Sequence, residues 1–343
     1  MLRPQPLVSI VTPAYNEEEH IAECIESVLA QTYENWEYTI VNNCSTDKTL
    51  EIARRYAAQD SRIRVHDNEK FLPMLANHNL AIRQISSSSA YCKVVLADDW
   101  IYPDCLEKMV AIGEAYPSAG IVSSYQLHGQ LVRSIGLPHR QNLVSGRETC
   151  RQFLFQTLIL FGTQNSVLYR ANLVRSRDPF YIETDMCADF EVCFALLKQS
   201  DLGFVHQILT FSRPRAGSIA AVSFDTGANF ASRLGILFNY GRDCLNNTEF
   251  EACLDLHMTQ YYTFLGRRLL VERDRRFWCY HEETLAKFGL GLSRTRLIRS
   301  ALRELFGSAL HPSSMLASVR RLFTLRRIRN GQARSVVSGF GAN

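Results

Sequence analysis

Residues 8–49 read VSIVTPAYNEEEHIAECIESVLAQTYENWEYTIVNNCSTDKT, and this stretch decides the fold. Leu7–Thr12 is a short β-branched run stopped by Pro13, the mark of a strand that ends in a loop. Asn16, with Glu19 three positions on, has the spacing of a capping box that starts a helix. Ile21, Ile25, Val28 and Leu29 then recur at i, i+4, i+7 and i+8, which is one apolar helical face. Trp36–Val41 is a second strand, and Ser45 or Asp47 caps a second helix carrying Leu50, Ala53 and Ala57. Farther along, Ile63–His66 reads as a strand, Leu72–Ile85 as a helix and Tyr91–Ala97 as a fourth strand. This β-α-β-α-β-α-β order predicts a doubly wound, mainly parallel sheet with helices on both faces. Ligands of such sheets bind beyond the carboxyl ends of the strands. That selects the loops at 13–16, 42–47 and 97–100.

Composition narrows the class. Of 343 residues, 46% are apolar and 21% charged, which suits a globular chain and excludes a disordered or fibrous one. A spanning helix needs about 20 consecutive apolar residues; the best run, Phe153–Phe161, is far shorter and contains Gln156. The N-terminal Met-Leu-Arg-Pro-Gln-Pro runs straight into the first strand, without the apolar core of a signal peptide. Ten cysteines are scattered from Cys24 to Cys279 with no Cys-x-x-Cys pair, so reduced thiols in a cytoplasmic protein are expected.

The net charge of +4 conceals an asymmetry: residues 266–343 hold 16 Lys and Arg against 5 Asp and Glu, leaving 22 against 29 in the rest. A mildly acidic body with a basic tail suggests an anionic partner. The expected division is 1–225 for a catalytic domain and 226–343 for a helical region. Within the latter, Leu297, Ile298, Ala301, Leu302, Leu305 and Phe306 form an apolar stripe, with Arg294, Arg296, Arg299 and Arg303 beside it. After His311-Pro312 the design repeats, with Met315, Leu316, Val319, Leu322 and Phe323 against Arg320, Arg321, Arg326 and Arg327. Two basic amphipathic helices of this kind either pack on the body or lie on an anionic membrane surface. With no nucleic-acid-binding motif and an acidic body, nucleic acid is not an expected partner.

No G-x-G-x-x-G or G-x-x-x-x-G-K-[ST] follows the first strand, which excludes the usual dinucleotide and P-loop sites. The strand-end loops carry other chemistry: Tyr15 can stack on a base, Asn43 can exchange hydrogen bonds with a base edge, and Asp98-Asp99 can hold a divalent cation. Adjacent carboxylates at the end of the strand CKVVLA repel each other, and a metal ion relieves that cost. Mg²⁺ and Mn²⁺ accept one or two protein carboxylates and complete their shell with phosphate oxygens and water.

The stretch 8–49, together with VVLADDWIYPDCLEKMV at 94–110, resembles family 2 glycosyltransferases of the GT-A fold. The resemblance is strong over residues 7–125 and continues more weakly through FGTQNSVLYR (161–170), ADFEVCFALLKQSDLGFV (188–205) and FSRPRAGSIA (211–220). It implies a nucleotide-sugar donor, with Pro13 (through its backbone), Tyr15 and Asn43 on the base and ribose. Asn16 and Glu17 shape the loop, and Asn77 belongs to the same donor region. It implies that Asp99 ligates the metal directly and that Asp98 faces the sugar or ribose. Arg213 and Arg215 meet the donor phosphates or an anionic acceptor, and Asp189 is the general base, with Glu191, Asp185 and Glu183 as substitutes. Asp189 precedes a helical run, so an N-cap is its competing role.

Departures from the family pattern are local. Asn42-Asn43-Cys44-Ser45 stands where Asp-Asp-Gly-Ser is usual, and Ala76-Asn77 where Arg-Asn is usual. The Gln-x-x-Arg-Trp motif of processive synthases is absent. The expectation is metal-dependent, inverting transfer of a single sugar to a glycan or lipid-linked acceptor, in bacterial surface-polysaccharide assembly. The protein would be cytoplasmic or peripheral at the inner membrane face, with homo-oligomerisation left open. Asn42, Asn43 and Ala76 also motivate a rival reading, a catalytically silent nucleotide-sugar-binding protein. His66 and His78 are expected to be surface or partly buried structural residues.

Overall fold

The computed structural model describes residues 5–185, 187–215, 219–269 and 271–309. The first strands and helices follow the expected alternation: β1 (Val8–Ala14), α1 (Ile21–Leu29), β2 (Trp36–Asn42), α2 (Thr49–Ala57), β3 (Ile63–Asp67), α3 (Met74–Ile82) and β4 (Tyr91–Val94). There follow β5 (Trp100–Ile101), α4 (Cys105–Ala115), β6 (Ala119–His128), β7 (Leu131–Arg133), β8 (Leu143–Val144) and α5 (Gly146–Leu154). Then come β9 (Val167–Arg170), α6 (Ala171–Arg175), α7 (Ala188–Leu197) and β10 (Asp201–Ser212). Among the described residues only helices follow: α8 (Ile219–Thr226), α9 (Ala228–Cys244), α10 (Asn247–Leu269), α11 (Arg275–Lys287) and α12 (Arg294–Ala309).

Ten strands form one sheet in the order β3-β2-β1-β4-β9-β6-β10-β5, with β7 on β6 and β8 on β10. The first four strands are parallel, as expected. Beyond them the sheet is mixed: β9 runs antiparallel to both β4 and β6, while β10 pairs parallel with β6. This second half follows no simple βαβ repeat.

Every residue of β1 is buried. A strand covered on both faces reads as a continuous apolar run, and alternate side chains go to opposite cores. Val8 and Ile10 enter the cluster built with α1 and α4, beside Tyr38 and Ile40 of β2. Val11 and Val41 enter the other, which also takes in residues of α3, α5, α7 and α9. None of the ten cysteines forms a disulfide, in line with the expected reduced state.

The chain divides into two compact units, Met1–His257 and a second that starts at Met258. The first therefore reaches past residue 225, because α9 packs against α5 and α7 and its Ile236 and Leu237 enter the core of the sheet. Within the second unit, α12 buries Leu297 and Ala301, whereas Ile298, Leu302, Leu305 and Phe306 are exposed. A Cβ on Gly266 of α10 would meet the backbone of Ala301, so these two helices approach closely. The segment after His311-Pro312, expected to form a second amphipathic helix, lies outside the described residues. Among the described residues no helix is long and apolar enough to cross a membrane.

Gly146 opens α5 where the backbone of the α7–β10 turn crosses it. A Cβ there would stand 2.0 Å from the Leu197 carbonyl oxygen and 2.1 Å from that of Ser200. Backbone atoms at that distance cannot turn away as a side chain could. Gly146→Ala is expected to destabilise the first unit by about 1–3 kcal/mol or more, read as a lower urea midpoint; an unchanged midpoint would refute this close packing.

Candidate active site

Three loops at the carboxyl ends of β1, β2 and β3 are laced together by their own polar groups. Asn16 has φ 53°, a left-handed conformation that asparagine tolerates. Its Oδ1 accepts from the Thr46 N–H at 2.8 Å, and its own N–H donates to Ser45 Oγ at 3.0 Å. The capping box expected at Asn16 and Glu19 is therefore not formed. Helix α1 begins only at Ile21 and its N-cap, His20, makes no side-chain cap, because the Asn16 side chain is drawn across to the neighbouring loop. Asp47 similarly accepts from the Glu18 and Thr49 N–H groups, ahead of an α2 that starts at Thr49.

Asn43 is buried and uses both ends of its amide. Nδ2 donates to the Leu72 carbonyl at 2.8 Å, while Oδ1 accepts from the Leu72 N–H at 2.9 Å and from Asn68 Nδ2 at 3.0 Å. Asn68 also donates to Asn77 Oδ1 at 2.9 Å. This network of three buried amides fixes the loop between β3 and α3, which presents Phe71. The Phe71 ring meets Tyr15 edge-on, with centroids 4.9 Å apart. Both rings remain open to solvent, Tyr15 at 44% and Phe71 at 57%.

Asp98 and Asp99 lie between β4 and β5. Strand β5 is tied to the end of β10, and Trp100 stacks on Phe211 with centroids 3.5 Å apart. The buried Asn165 amide donates to the Phe211 and Trp100 carbonyls, and the ammonium of fully buried Lys93 donates to the carbonyls of Asn165 and Val167. These contacts bring the chain beyond β10 onto the acidic pair. The Arg213 N–H donates to Asp99 Oδ1 at 2.8 Å and its guanidinium to the Asp98 carbonyl and to Glu23. Arg215 donates to both Glu17 and Asp98. Burial, then the neighbouring Asp98 carboxylate, pushes Asp99 up to about 8. Burial is also the main cause that raises Glu17, against the opposing pull of Arg215.

Asp189 stands in the first turn of α7, its Oδ1 accepting from the adjacent Phe190 N–H at 2.9 Å. Burial raises it from the usual 3.8 to about 7, with Asp185 adding to the shift. The turn before the helix is held instead by Asp185, which accepts from the Cys187 N–H and from Ser232 Oγ. Glu191 is buried in an ion pair with Arg177, 2.6 Å away, and accepts from the Tyr240 hydroxyl. Glu183 accepts from Asn79. All three alternatives to Asp189 thus have structural partners.

His78 is buried, contrary to a surface position. Its Nδ1 pairs with Gln164 Oε1 at 2.8 Å, and burial lowers it to about 4, so the ring is neutral. It feels the charge of Asp98 and packs edge-on to Tyr181, which in turn feels the charge of Asp189. Sequence pattern assigned no functional role to His78 or to Gln164, and Tyr181 and Phe71 carry no periodic or motif signal.

The arrangement combines a strand-end aromatic face, an acidic pair braced by two arginines, and a carboxylate with a raised pKa. Residues 9–178 match the model of the family described as Glycosyl transferase family 2. Glycosyltransferase GlyG of Streptococcus pneumoniae is 33% identical over 232 residues, 64% of this chain and 74% of that protein. The chain belongs to glycosyltransferase family 2. The matched stretch is only 13%, 44% and 53% of the length of the first three curated relatives. The fold is GT-A: S. aureus TarS 1–349, solved with UDP-GlcNAc, superposes with a TM-score of 0.61 at 16% identity, covering 82% of this chain and 80% of that one. The mannosyltransferase PcManGT from Pyrobaculum calidifontis, solved with GDP-Man and Mn²⁺, gives 0.54 at 14% identity, covering 97% and 89%.

The raised pKa of Asp189 makes stability depend on pH. In the folded chain Asp189 keeps its proton up to about 7, whereas in the unfolded chain it loses it near 3.8. The folded state binds more protons inside that window, so this group's contribution to stability falls as pH rises from about 4 to 7. Asp189→Asn is expected to raise the melting temperature at pH 7 to 8, with the gain vanishing toward pH 4. A lower melting temperature at every pH would assign Asp189 a structural bond instead.

Proposed function

We propose that the chain transfers one sugar from a nucleotide-sugar donor to a hydroxyl of a glycan or lipid-linked acceptor, inverting the anomeric centre, with Mn²⁺ or Mg²⁺ as cofactor. The observation that carries this is the acidic pair: Asp99 is buried beside Asp98 and pushed up to about 8. A carboxylate in that state fits a divalent cation, which would favour its ionised form. Asp99 would ligate the ion directly, while Asp98 would face the donor's ribose or sugar. When bound, such an ion neutralises the charge that develops on the departing diphosphate.

The remaining steps fall to the chain's own residues. Tyr15 offers its ring to the base. Arg213 and Arg215, which hold Asp98, Asp99 and Glu17 here, can turn their donors to the diphosphate, where preorganised cations stabilise the leaving group. Asp189, with a pKa of about 7, accepts the proton of the acceptor hydroxyl as that oxygen attacks the anomeric carbon from the face opposite the leaving group. Family membership, and the nucleotide sugars and Mn²⁺ bound in proteins of the same fold, support this reading.

Asp99→Asn is expected to lower turnover on the order of 10²-fold or more, and excess EDTA to abolish it. Asp189→Asn is expected to cost about 10²–10⁴-fold while leaving donor affinity nearly unchanged. Full activity in EDTA would remove the metal from the mechanism. Donor affinity that collapses in Asp189→Asn would remove the base.

An anionic membrane surface is the proposed partner of the second unit. The exposed Ile298, Leu302, Leu305 and Phe306 of α12 lie among Arg294, Arg299 and Arg303, and each basic residue near an anionic surface contributes about 1 kcal/mol. The full chain should co-sediment with phosphatidylserine-containing vesicles at low salt and lose this at high salt, and a chain ending at Leu292 should not bind. Equal binding by both would exclude the tail as the anchor.

A further inference from the structure

The donor site has an aromatic surface but little hydrogen-bonding capacity left for a base. Asn43, the strand-end residue best placed to read a base edge, has its amide oxygen filled by Leu72 and Asn68 and one of its two amide N–H groups donated to Leu72. A carboxylate in its place could accept but not donate to the Leu72 carbonyl, so this amide is what pins the loop. The polar groups around it are similarly engaged. Asn16 is bonded to Thr46, Glu17 to Arg215, and Asp67 to Asn42 and Arg54. Among the buried side-chain atoms there, Asn42 Oδ1 and Asn68 Oδ1 have no hydrogen-bond partner, and both are shut away from solvent. By contrast, Tyr15 and Phe71 present two exposed rings in contact, on a backbone the buried amides hold still.

We propose that Phe71 is a second wall of the donor's base site, and that the base is read by stacking on the Tyr15–Phe71 surface rather than by a hydrogen-bonded edge. This rests on the glycosyl-transfer reading. Discrimination between bases comes from hydrogen-bonding groups that the wrong base leaves unpaired. Stacking discriminates little, since every base has a π-face. The site therefore accepts nucleoside diphosphates of different bases with similar affinity, and the choice of donor falls to the sugar and diphosphate. Asn43 acts as a positioning residue that sets the angle of Phe71.

The test is titration calorimetry of the full chain with UDP, GDP, ADP, CDP and dTDP, each with Mn²⁺. The five dissociation constants are expected to fall within about tenfold of one another. Phe71→Ala should weaken each by about tenfold, or about 1.4 kcal/mol, without changing their order. Its melting temperature should stay the same, because the ring is exposed. A preference above about 100-fold for one base, or unchanged affinities in Phe71→Ala, overturns this inference and leaves glycosyl transfer standing. No binding of any of the five by the unaltered chain overturns both.

Discussion

Two carboxylates one residue apart, one of them out of water, form the constraint around which the rest of the first unit is arranged. Asp99 cannot ionise easily beside Asp98, and the chain answers with a backbone N–H and two guanidinium groups delivered from the far end of β10. That delivery needs β10 to reach the acidic loop. The register of β10 against β6 shifts between Val205 and Ile208 and again between Ile208 and Thr210, and such irregularities re-aim a strand. The Trp100–Phe211 stack then fixes the end in place. Beneath it, the Lys93 ammonium donates to two backbone carbonyls rather than to a carboxylate. A buried cation without a counter-ion is costly, and here it braces the segment that carries Asn165.

The loops that carry Tyr15 and Phe71 are built by a different principle. Where the family pattern has two aspartates, this chain has Asn42 and Asn43, and the Asn43 amide bonds to Asn68 and to the Leu72 backbone. The result is a stiff platform whose chemistry toward a ligand is mainly aromatic. The two halves of the site are thus unlike: one is electrostatic and centred on Asp98 and Asp99, the other is apolar and centred on Tyr15 and Phe71. His78 is buried and neutral, so it adds no positive charge to those of Arg213 and Arg215.

The first half of the sheet was legible because parallel strands buried on both faces leave continuous β-branched runs, as in LVSIVT and VVLA, and the helices between them keep a 3.6-residue period. The acidic pair was legible for the same reason, as it ends such a run. Beyond residue 119 the sheet turns mixed, and the antiparallel insertion of β9 between β4 and β6 rests on contacts distant in sequence. The Asn16 cap was misread because the capping-box spacing is local, whereas the bond to Thr46 spans thirty residues. Asn43 is the instructive case: its residue type suggested a partner outside the protein, and tertiary structure supplied one inside. Phe71 and His78 carried no signal, since their roles come from what lies across from them.

Arg215 has one further consequence. Its guanidinium is bonded to both Glu17 and Asp98. A cation that must leave internal partners to meet a diphosphate binds it less tightly than a free one would. It also lets go more readily, since the departing anion is replaced at once by carboxylates already in reach. For an enzyme whose leaving group is itself a tight-binding anion, release of that product can limit the cycle. On the proposed reading, the Glu17–Arg215–Asp98 bridge would compete with the product for Arg215, trading donor affinity for a shorter residence time of the spent nucleotide.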